Sequence, residues 1–135
     1  MLRLSRKAEY GIIALKHILS KPSGLTCSAR EIAERYNIPV ELMAKVLQKL
    51  AKDGLLQSAQ GVHGGYVMAT SPHQISVADV VESLDGPIGI VECATGDECK
   101  CVQYNTGVCN IDEPFVKIQG KFKSFLSGIS LADLN

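Results

Sequence analysis

The sequence lacks both a long hydrophobic run and a recognisable catalytic motif. No uninterrupted apolar segment approaches the roughly 20 residues that a membrane-spanning helix needs. The apolar stretch Gly11–Leu15 is too short for the hydrophobic region of a signal peptide. The chain shows no Ser-His-Asp candidate, no paired carboxylates in a catalytic context and no nucleotide-binding motif. We therefore expect a cytoplasmic protein with no membrane partner that is not an enzyme.

Net charge is also absent, because 14 Lys and Arg residues balance 14 Asp and Glu residues. The two signs are nevertheless unevenly distributed along the chain. Residues 1–54 carry ten basic against five acidic side chains, and residues 55–135 carry four against nine. A basic front half suggests a polyanionic partner such as nucleic acid, and an acidic rear half suggests a different task.

Four of the five cysteines lie between Cys93 and Cys109. Glycines, an Asp-Glu pair and an Asn-Thr-Gly turn signal predict a loop there rather than a helix or strand. In a reducing compartment, clustered thiols favour a soft metal or an iron–sulfur cluster over a structural disulfide. The alternatives are a disulfide pair or reduced thiols without a role. The fifth cysteine, Cys27, is interpreted as a small buried residue rather than a ligand.

Hydrophobic spacing predicts three helices in the basic half. The first covers Ser5–Ser20, the second follows the capping-box pattern Ser28–Glu31 and ends near Tyr36, and the third covers Pro39–Asp53 with Pro at its first position. Two helices joined by a turn of about three or four residues indicate a helix-turn-helix. The third helix directs polar side chains outward, as a DNA-reading helix would, although a solvated bundle face explains them equally well.

A β-hairpin is predicted directly after the third helix. The extended segments Leu55–Gln60 and Tyr66–Thr70 flank the glycine-rich tip Gly61–Gly65. A hairpin in this position is typical of a wing, whose backbone amides and His63 could approach DNA phosphates or the minor groove. No Lys-Ser/Thr follows the glycines, so a nucleotide-binding loop is disfavoured. His63 is equally compatible with an ordinary exposed turn residue.

The acidic half contains a short helix, Ser76–Leu84, then the cysteine segment and a helix that begins near Glu113. In this last helix four apolar residues repeat at steps of three, four and three, which is typical of a coiled-coil seam. We call these four residues the dimer seam; they are Phe115, Ile118, Phe122 and Phe125. We predict that the dimer seam pairs two copies of the chain, with packing inside one domain as the alternative.

The predicted fold is mainly α with a small β-hairpin wing. A winged helix-turn-helix DNA-binding domain occupies residues 1–72, and a sensor loop with a long C-terminal dimerisation helix occupies residues 73–135.

The order of these parts resembles the Rrf2 family of bacterial winged-helix transcriptional regulators. The matching segments are Leu4–Tyr10, Leu50–Leu55, Gly61–Tyr66 and the pair Cys93 and Cys99. The resemblance covers almost the whole chain. It implies a homodimer that binds a near-palindromic double-stranded DNA operator, with affinity controlled by an iron–sulfur cluster.

The resemblance also implies a set of thiolate ligands. Family members commonly separate three cysteines by five residues, a spacing that Cys93 and Cys99 share, but here Cys109 follows only after nine further residues. We expect those three cysteines to be ligands. The alternative set of Cys93, Cys101 and Cys109 has two equal gaps of seven.

Three residues are candidates for the fourth ligand. Cys101 would complete an all-cysteine site, Asp112 occupies the position at which some members carry a ligating histidine, and Glu9 matches a ligand that others take from helix 1 of the partner subunit. A carboxylate would leave the cluster labile, which suits a sensor. We expect [2Fe–2S] rather than [4Fe–4S], with zinc or no metal as alternatives.

The residues that we predict to contact DNA are Arg3, Ser5, Arg6, Tyr10, Ser28, Arg30, Glu41, Ala44, Lys45, Gln48, Lys49, His63 and Gly64. The favoured function is a transcriptional regulator with an iron–sulfur sensor. A regulator that senses oxidants through thiols, or holds structural zinc, is the main alternative. A small iron–sulfur electron carrier is less favoured because it would not need a winged helix-turn-helix.

Overall fold

The computed structural model describes residues 2–62, 64–94 and 100–134. These residues form a mainly helical protein with one two-stranded antiparallel sheet. The longer elements, in chain order, are α1 (Arg6–Ser20), α2 (Ala29–Tyr36), α3 (Val40–Lys52), β1 (Leu56–Ala59), β2 (Gly65–Met68), α4 (Val77–Asp85), α5 (Val102–Asn105) and α6 (Asp112–Ser127). Short 3-10 helices occupy Pro72–Gln74, Glu92–Ala94 and Leu131–Leu134. None of the helices in the described ranges is long and apolar enough to cross a membrane.

Helix α1 is the central element of the main core. Its N-cap, Ser5, accepts a hydrogen bond from the amide of Ala8 at 3.0 Å. Its buried face packs on α3 and α4, and Gly11 lies where α1 crosses α4. A Cβ at Gly11 would overlap a terminal methyl group of Leu84, which would have to turn aside.

The helix-turn-helix consists of α2, a tight turn and α3. Asn37 adopts a left-handed conformation with φ of 55°, which asparagine tolerates well, and Pro39 is the N-cap of α3 rather than its first residue. The inner stripe of α3 consists of Val40, Met43, Val46, Leu47 and Leu50; the last four are buried, and Val40 is half-buried against the core. The predicted capping box of α2 is only half formed: the Ser28 hydroxyl accepts from the Glu31 amide, but the Glu31 carboxylate is hydrogen-bonded to His17 instead.

The hairpin forms as predicted and is attached to the helix-turn-helix. Ser58 pairs with Tyr66 and Ala59 with Gly65 across the two strands. Tyr66 also exchanges two backbone hydrogen bonds with Cys27, at 2.8 and 3.0 Å. The segment before α2 therefore continues the sheet and fixes the wing relative to α2.

Helix α4 begins with a complete capping box. Ser76 accepts from the amide of Asp79, whose carboxylate accepts from the amide of Ser76. The C-terminal segment returns to this point, where the Val77 amide donates to the carbonyl of Ile129. A second hydrophobic cluster lies beneath; it contains Ala8, Val77, Ala78, Val81 and Ile88, with Leu126, Ile129 and Leu134 against it.

The cysteine segment is more regular than predicted. We expected an irregular loop, but Glu92–Ala94 forms a 3-10 turn and α5 forms one helical turn with Cys101 at its N-cap. The Thr106 hydroxyl donates to the carbonyl of Val102 at 2.8 Å and closes this turn. A single turn escapes sequence-based prediction because it is too short to show hydrophobic periodicity.

Candidate DNA interface and cysteine site

The outer face of α3 carries side chains that are available to a ligand. Lys45 and Gln48 are exposed, and neither makes a hydrogen bond or ion pair within the described residues. Glu41 is exposed on the same helix, and Ala44 is half-buried. We call the exposed set Glu41, Lys45, Gln48 and Lys49 the recognition face.

Lys49 differs from its neighbours because it is engaged within the protein. Its Nζ lies 3.2 Å from a carboxylate oxygen of Asp53, one turn further along. Asp53 also accepts a hydrogen bond of 2.6 Å from the hydroxyl of Ser83 on α4. The Ser83 hydrogen bond and the nearby Lys49 hold the pKa of Asp53 below its ordinary value. The hydrogen bond between Asp53 and Ser83 connects the end of α3 to α4, and no sequence pattern indicated this contact.

Of the predicted DNA-contact residues at the start of the chain, Ser5 and Arg6 already bond to other side chains, and within the described ranges Arg3 does not. Arg3 is exposed beside the cavity at the start of α1. Arg6 pairs with Glu9 at 3.0 Å on the exposed side of the helix. The Ser5 hydroxyl donates to the carboxylate of Asp85 at 2.6 Å while capping α1. The described contacts therefore give Ser5 a structural role, and Arg3 and Arg6 remain open to solvent.

The remaining predicted DNA-contact residues at the first two helices, Tyr10, Ser28 and Arg30, differ in burial and in their partners. Tyr10 is half-buried against the main core, and Ser28 caps α2. Arg30 is exposed, with Glu34 3.7 Å away one turn along the helix. Because that pair is exposed and long, it would exchange readily for a phosphate.

At the wing tip, two glycines have structural roles. The Gly64 amide donates to the Gly61 carbonyl at 3.0 Å, which closes the turn. A Cβ at Gly65 would lie 2.6 Å from the carbonyl oxygen of Cys27. That glycine is thus required by the attachment of the wing to the segment before α2. His63 lies outside the described residues.

Several predicted metal ligands line one cavity of about 370 Å³. Cys93, Cys101, Cys109 and Asp112 all face it, together with Tyr104, which sequence reasoning did not single out. The three cysteines are half-buried and are not disulfide-bonded. The Cys101 thiol donates to the side-chain carbonyl of Gln103 at 3.1 Å. We call this the cysteine pocket; Cys99 lies outside the described residues.

A hydrogen bond between a backbone amide and a side chain connects the cysteine pocket to α6. The amide of Ile90, just before the pocket, donates to the side-chain carbonyl of Gln119 on α6 at 2.9 Å. Further along α6, Lys123 pairs with Glu82 of α4 at 2.8 Å. Both contacts join residues far apart in sequence, and their polar side chains gave no signal in the sequence.

The dimer seam remains largely uncovered in the single chain. Ile118, Phe122 and Phe125 are 47, 38 and 66 % exposed, and Phe115 is half-buried. No residue of α6 is fully buried. Three large apolar side chains in a row on a helix indicate a surface that another molecule covers.

Comparison with known proteins decides the family. A family model described as Rrf2, iron-dependent transcriptional regulator, matches residues 4–135. The chain belongs to the Rrf2 family. The family resemblance stated from the sequence is therefore confirmed. Members of this family are transcriptional regulators that bind DNA, and they are not enzymes.

Individual Rrf2-family proteins agree in sequence and in fold. An HTH-type transcriptional regulator of Haemophilus influenzae is 30% identical over 133 residues, which cover 98% of this chain and 86% of the relative. The structure of CymR, the global cysteine regulator of B. subtilis, superposes with a TM-score of 0.75 at 27% identity, covering 99% of this chain and 96% of CymR. T. potens IscR gives a TM-score of 0.69 at 26% identity over 98% and 85% of the two chains. The predicted fold class is confirmed by these matches.

Proposed function

We propose that this Rrf2-family regulator controls its operator affinity through an iron–sulfur cluster held in the cysteine pocket. The observation that carries the proposal is the convergence of Cys93, Cys101, Cys109 and Asp112 on one cavity beside α6. The description of the family as iron-dependent supports it further.

The donor chemistry of the pocket fits such a cluster. Thiolates are the usual ligands of iron–sulfur clusters. Cys93 and Cys109 would bind from the two ends of the segment, with Cys99 or Cys101 between them. Apolar side chains of Ile90, Val91 and Ile111 line the same cavity. When bound, the cluster supplies iron centres that accept an electron or react with small oxidants.

The fourth ligand is proposed from the same geometry. Asp112 already faces the pocket and would need no second subunit. Glu9 lies on α1, where it is paired with Arg6, and as a ligand it is proposed to come from the partner subunit of a dimer. A carboxylate in either position would bind iron less tightly than a thiolate, so the cluster would be released readily.

The contacts of α6 suggest how the state of the pocket reaches DNA. Gln119 holds the backbone before Cys93, and Lys123 holds α4 through Glu82. Helix α4 in turn holds the end of α3 through Ser83 and Asp53. A rearrangement around Cys93 would therefore shift α6 relative to α4 and change the placement of α3. By linkage, the pocket state that favours operator binding is itself favoured by the operator.

The proposed DNA complex is a homodimer on a near-palindromic operator. Pairing of the dimer seams would place two recognition faces side by side, in half-sites about 34 Å apart or a multiple of it. Lys45 and Gln48 would read base edges, with Glu41 and Ala44 beside them. Backbone contacts would come from the helix starts and the wing; they are assigned to Arg3, Ser5, Arg6, Tyr10, Ser28, Arg30, Lys49, His63 and Gly64.

A second candidate is a regulator that senses oxidants directly through its thiols. Cys93, Cys101 and Cys109 are not disulfide-bonded and line one pocket, so oxidation could link two of them without a metal. The similarity to CymR, a global cysteine regulator, adds weight to sulfur chemistry of this kind. Structural zinc, which would need four protein donors, is the remaining alternative for the cysteine pocket.

The deciding experiment is anaerobic purification followed by visible absorption spectroscopy and by iron, sulfide and zinc analysis. A coloured protein with equimolar iron and sulfide supports the proposal. Removal of the cluster should then change the affinity for the promoter of its own operon in a gel-shift assay. A colourless protein that forms a reversible disulfide, or that retains stoichiometric zinc, overturns the cluster proposal and leaves the family assignment intact.

A further inference from the structure

A second group of metal-binding side chains lies in the DNA-binding half, away from the cysteine pocket. His17, Cys27 and Glu31 place one ligand atom each within 4.8 Å of one another, and they are the only such group among the described residues. The three belong to successive parts of the fold: the last turn of α1, the segment paired with the wing, and the first turn of α2.

The fold fixes the backbones of Cys27 and Glu31 and largely buries His17, while the Glu31 side chain is 39% exposed. Cys27 is fully buried, and its backbone is fixed by the two hydrogen bonds to Tyr66 of the wing. The backbone of Glu31 is fixed by the N-cap hydrogen bond from its amide to Ser28 at 3.0 Å. His17 lies on a long helix, and its side chain is only 10% exposed. Little ordering would be needed to bind an ion here.

The histidine is oriented as a metal ligand should be. Metal-binding histidines usually donate their second ring nitrogen to a nearby acceptor. The Nδ1 atom of His17 lies 3.0 Å from the hydroxyl of Tyr36, which can accept that hydrogen bond. The Nε2 atom then faces Glu31, 2.7 Å away, on the side where Cys27 also lies.

We propose that His17, Cys27 and Glu31 form a binding site for a divalent transition-metal cation of the Zn²⁺ class. One nitrogen, one thiolate sulfur and one carboxylate oxygen are the donor types that zinc accepts. The fourth position faces a shallow surface depression lined by His17, Lys21, Glu31, Glu34 and Arg35. Water fills that position, or Glu34 does after releasing Arg30.

In the metal-free protein the same side chains form a hydrogen-bonded group. His17 bonds the Glu31 carboxylate, and Lys21 approaches it at 3.5 Å. Burial and the neighbouring Glu31 carboxylate raise the pKa of the Cys27 thiol to about 11, so the thiol is protonated. On binding, the Cys27 thiol would release its proton to solvent as the sulfur binds the cation. The cation would replace the Lys21 ammonium beside Glu31, and Lys21 would turn to solvent. The bound ion would join α1, α2 and the wing at one point.

The test uses Co²⁺ as an optical probe and a full-length variant in which Cys93, Cys99, Cys101 and Cys109 are all serine. Cys27 is then the only thiol, so a thiolate-to-cobalt charge-transfer band reports this site alone. We expect one Co²⁺ per chain, displaced by one equivalent of Zn²⁺. Cys27→Ser in the same background should abolish the band. Tyr36→Phe, which removes only the partner of His17, should weaken Co²⁺ binding by about 10- to 100-fold.

Two results would overturn the proposal. One is the absence of a thiolate band in the folded four-serine protein, with circular dichroism showing intact helices. The other is Co²⁺ binding that Glu31→Gln and His17→Ala leave unchanged. Either result would show that the three residues form a hydrogen-bonded group that does not bind a metal ion. Should the four-serine variant not fold, the wild-type chain and its Cys27→Ser variant are compared, and equal Co²⁺ stoichiometry counts against the site. None of these outcomes depends on the iron–sulfur proposal.

Discussion

Gly65 on the wing and the carbonyl group of Cys27 are in direct backbone contact, with room for no side chain between them. A Cβ at Gly65 would lie 2.6 Å from the carbonyl oxygen and 2.8 Å from its carbon. Gly65 also has a φ of 156°. The position of the wing relative to the helix-turn-helix thus depends on the smallest residue at this point.

Gly65→Ala should therefore lower the free energy of unfolding by about 1–3 kcal/mol, because neither backbone can move aside without breaking the pairing of Cys27 with Tyr66. Urea unfolding measures the change. The matched control is Gly61→Ala: Gly61 also has positive φ, 116°, but a Cβ there meets nothing within 4 Å. Equal losses in the two variants would show that backbone strain, rather than the contact with Cys27, is responsible.

Lys45→Ala and Gln48→Ala should each weaken binding to the operator much more than binding to random DNA. Both side chains are exposed and have no partner in the described structure, so each is free to contact a base edge. A lost base contact removes about 1–3 kcal/mol of discrimination. Arg6→Ala should weaken both kinds of binding alike, as expected for a phosphate contact. Fluorescence anisotropy with the two DNAs checks this, and three equal losses would argue against base reading by α3.

Phe125→Glu should convert a dimer into monomers. The side chain is 66% exposed on the dimer seam, and a buried charge there would have no partner. Val116→Glu is the control, because Val116 is 53% exposed on the same helix but outside the seam. Sedimentation velocity gives the oligomeric state. A monomeric wild-type protein, or dissociation by both variants alike, would contradict the proposed seam.

The Asp53 carboxylate should make stability depend on pH. Its pKa is held below the ordinary value, so the folded state favours the ionised form. The resulting stabilisation is present above about pH 4 and is lost as the pH falls through the lowered pKa. Asp53→Asn should flatten the pH dependence of urea unfolding in this range, and Ser83→Ala should flatten it in part. A slope unchanged in both variants would show that the contact between α3 and α4 does not depend on this charge.

The cysteine variants should separate the two possible ligand sets. Cys93→Ser and Cys109→Ser should each remove the visible spectrum and the bound iron. Of Cys99→Ser and Cys101→Ser, the variant of the true ligand should do the same, while the other should leave the cluster in place. If both variants lose the cluster, the site uses four thiolates and needs neither Asp112 nor Glu9. Cys27→Ser should leave the visible spectrum of the cluster unchanged, because Cys27 does not line the cysteine pocket.

Much of this protein was determined by local sequence. Ser5 and Ser76 start helices because a hydroxyl one residue before the first turn can accept an otherwise unpaired amide, which is a purely local interaction. The inner stripe of α3 and the glycine-rich turn of the wing follow from periodicity and from backbone freedom in the same way. The family resemblance also rests on such local segments in order.

Tertiary structure decided what depends on residues far apart in the chain. Glu31 fitted a capping box, but its carboxylate bonds His17, because the fold brings the imidazole of α1 within reach of the start of α2. Likewise the contacts of Asp53 with Ser83 and of Gln119 with Ile90 join separate elements by single polar side chains. A single hydrogen bond leaves no repeat or spacing in a sequence. Only the packing of helices against one another determines which polar groups meet.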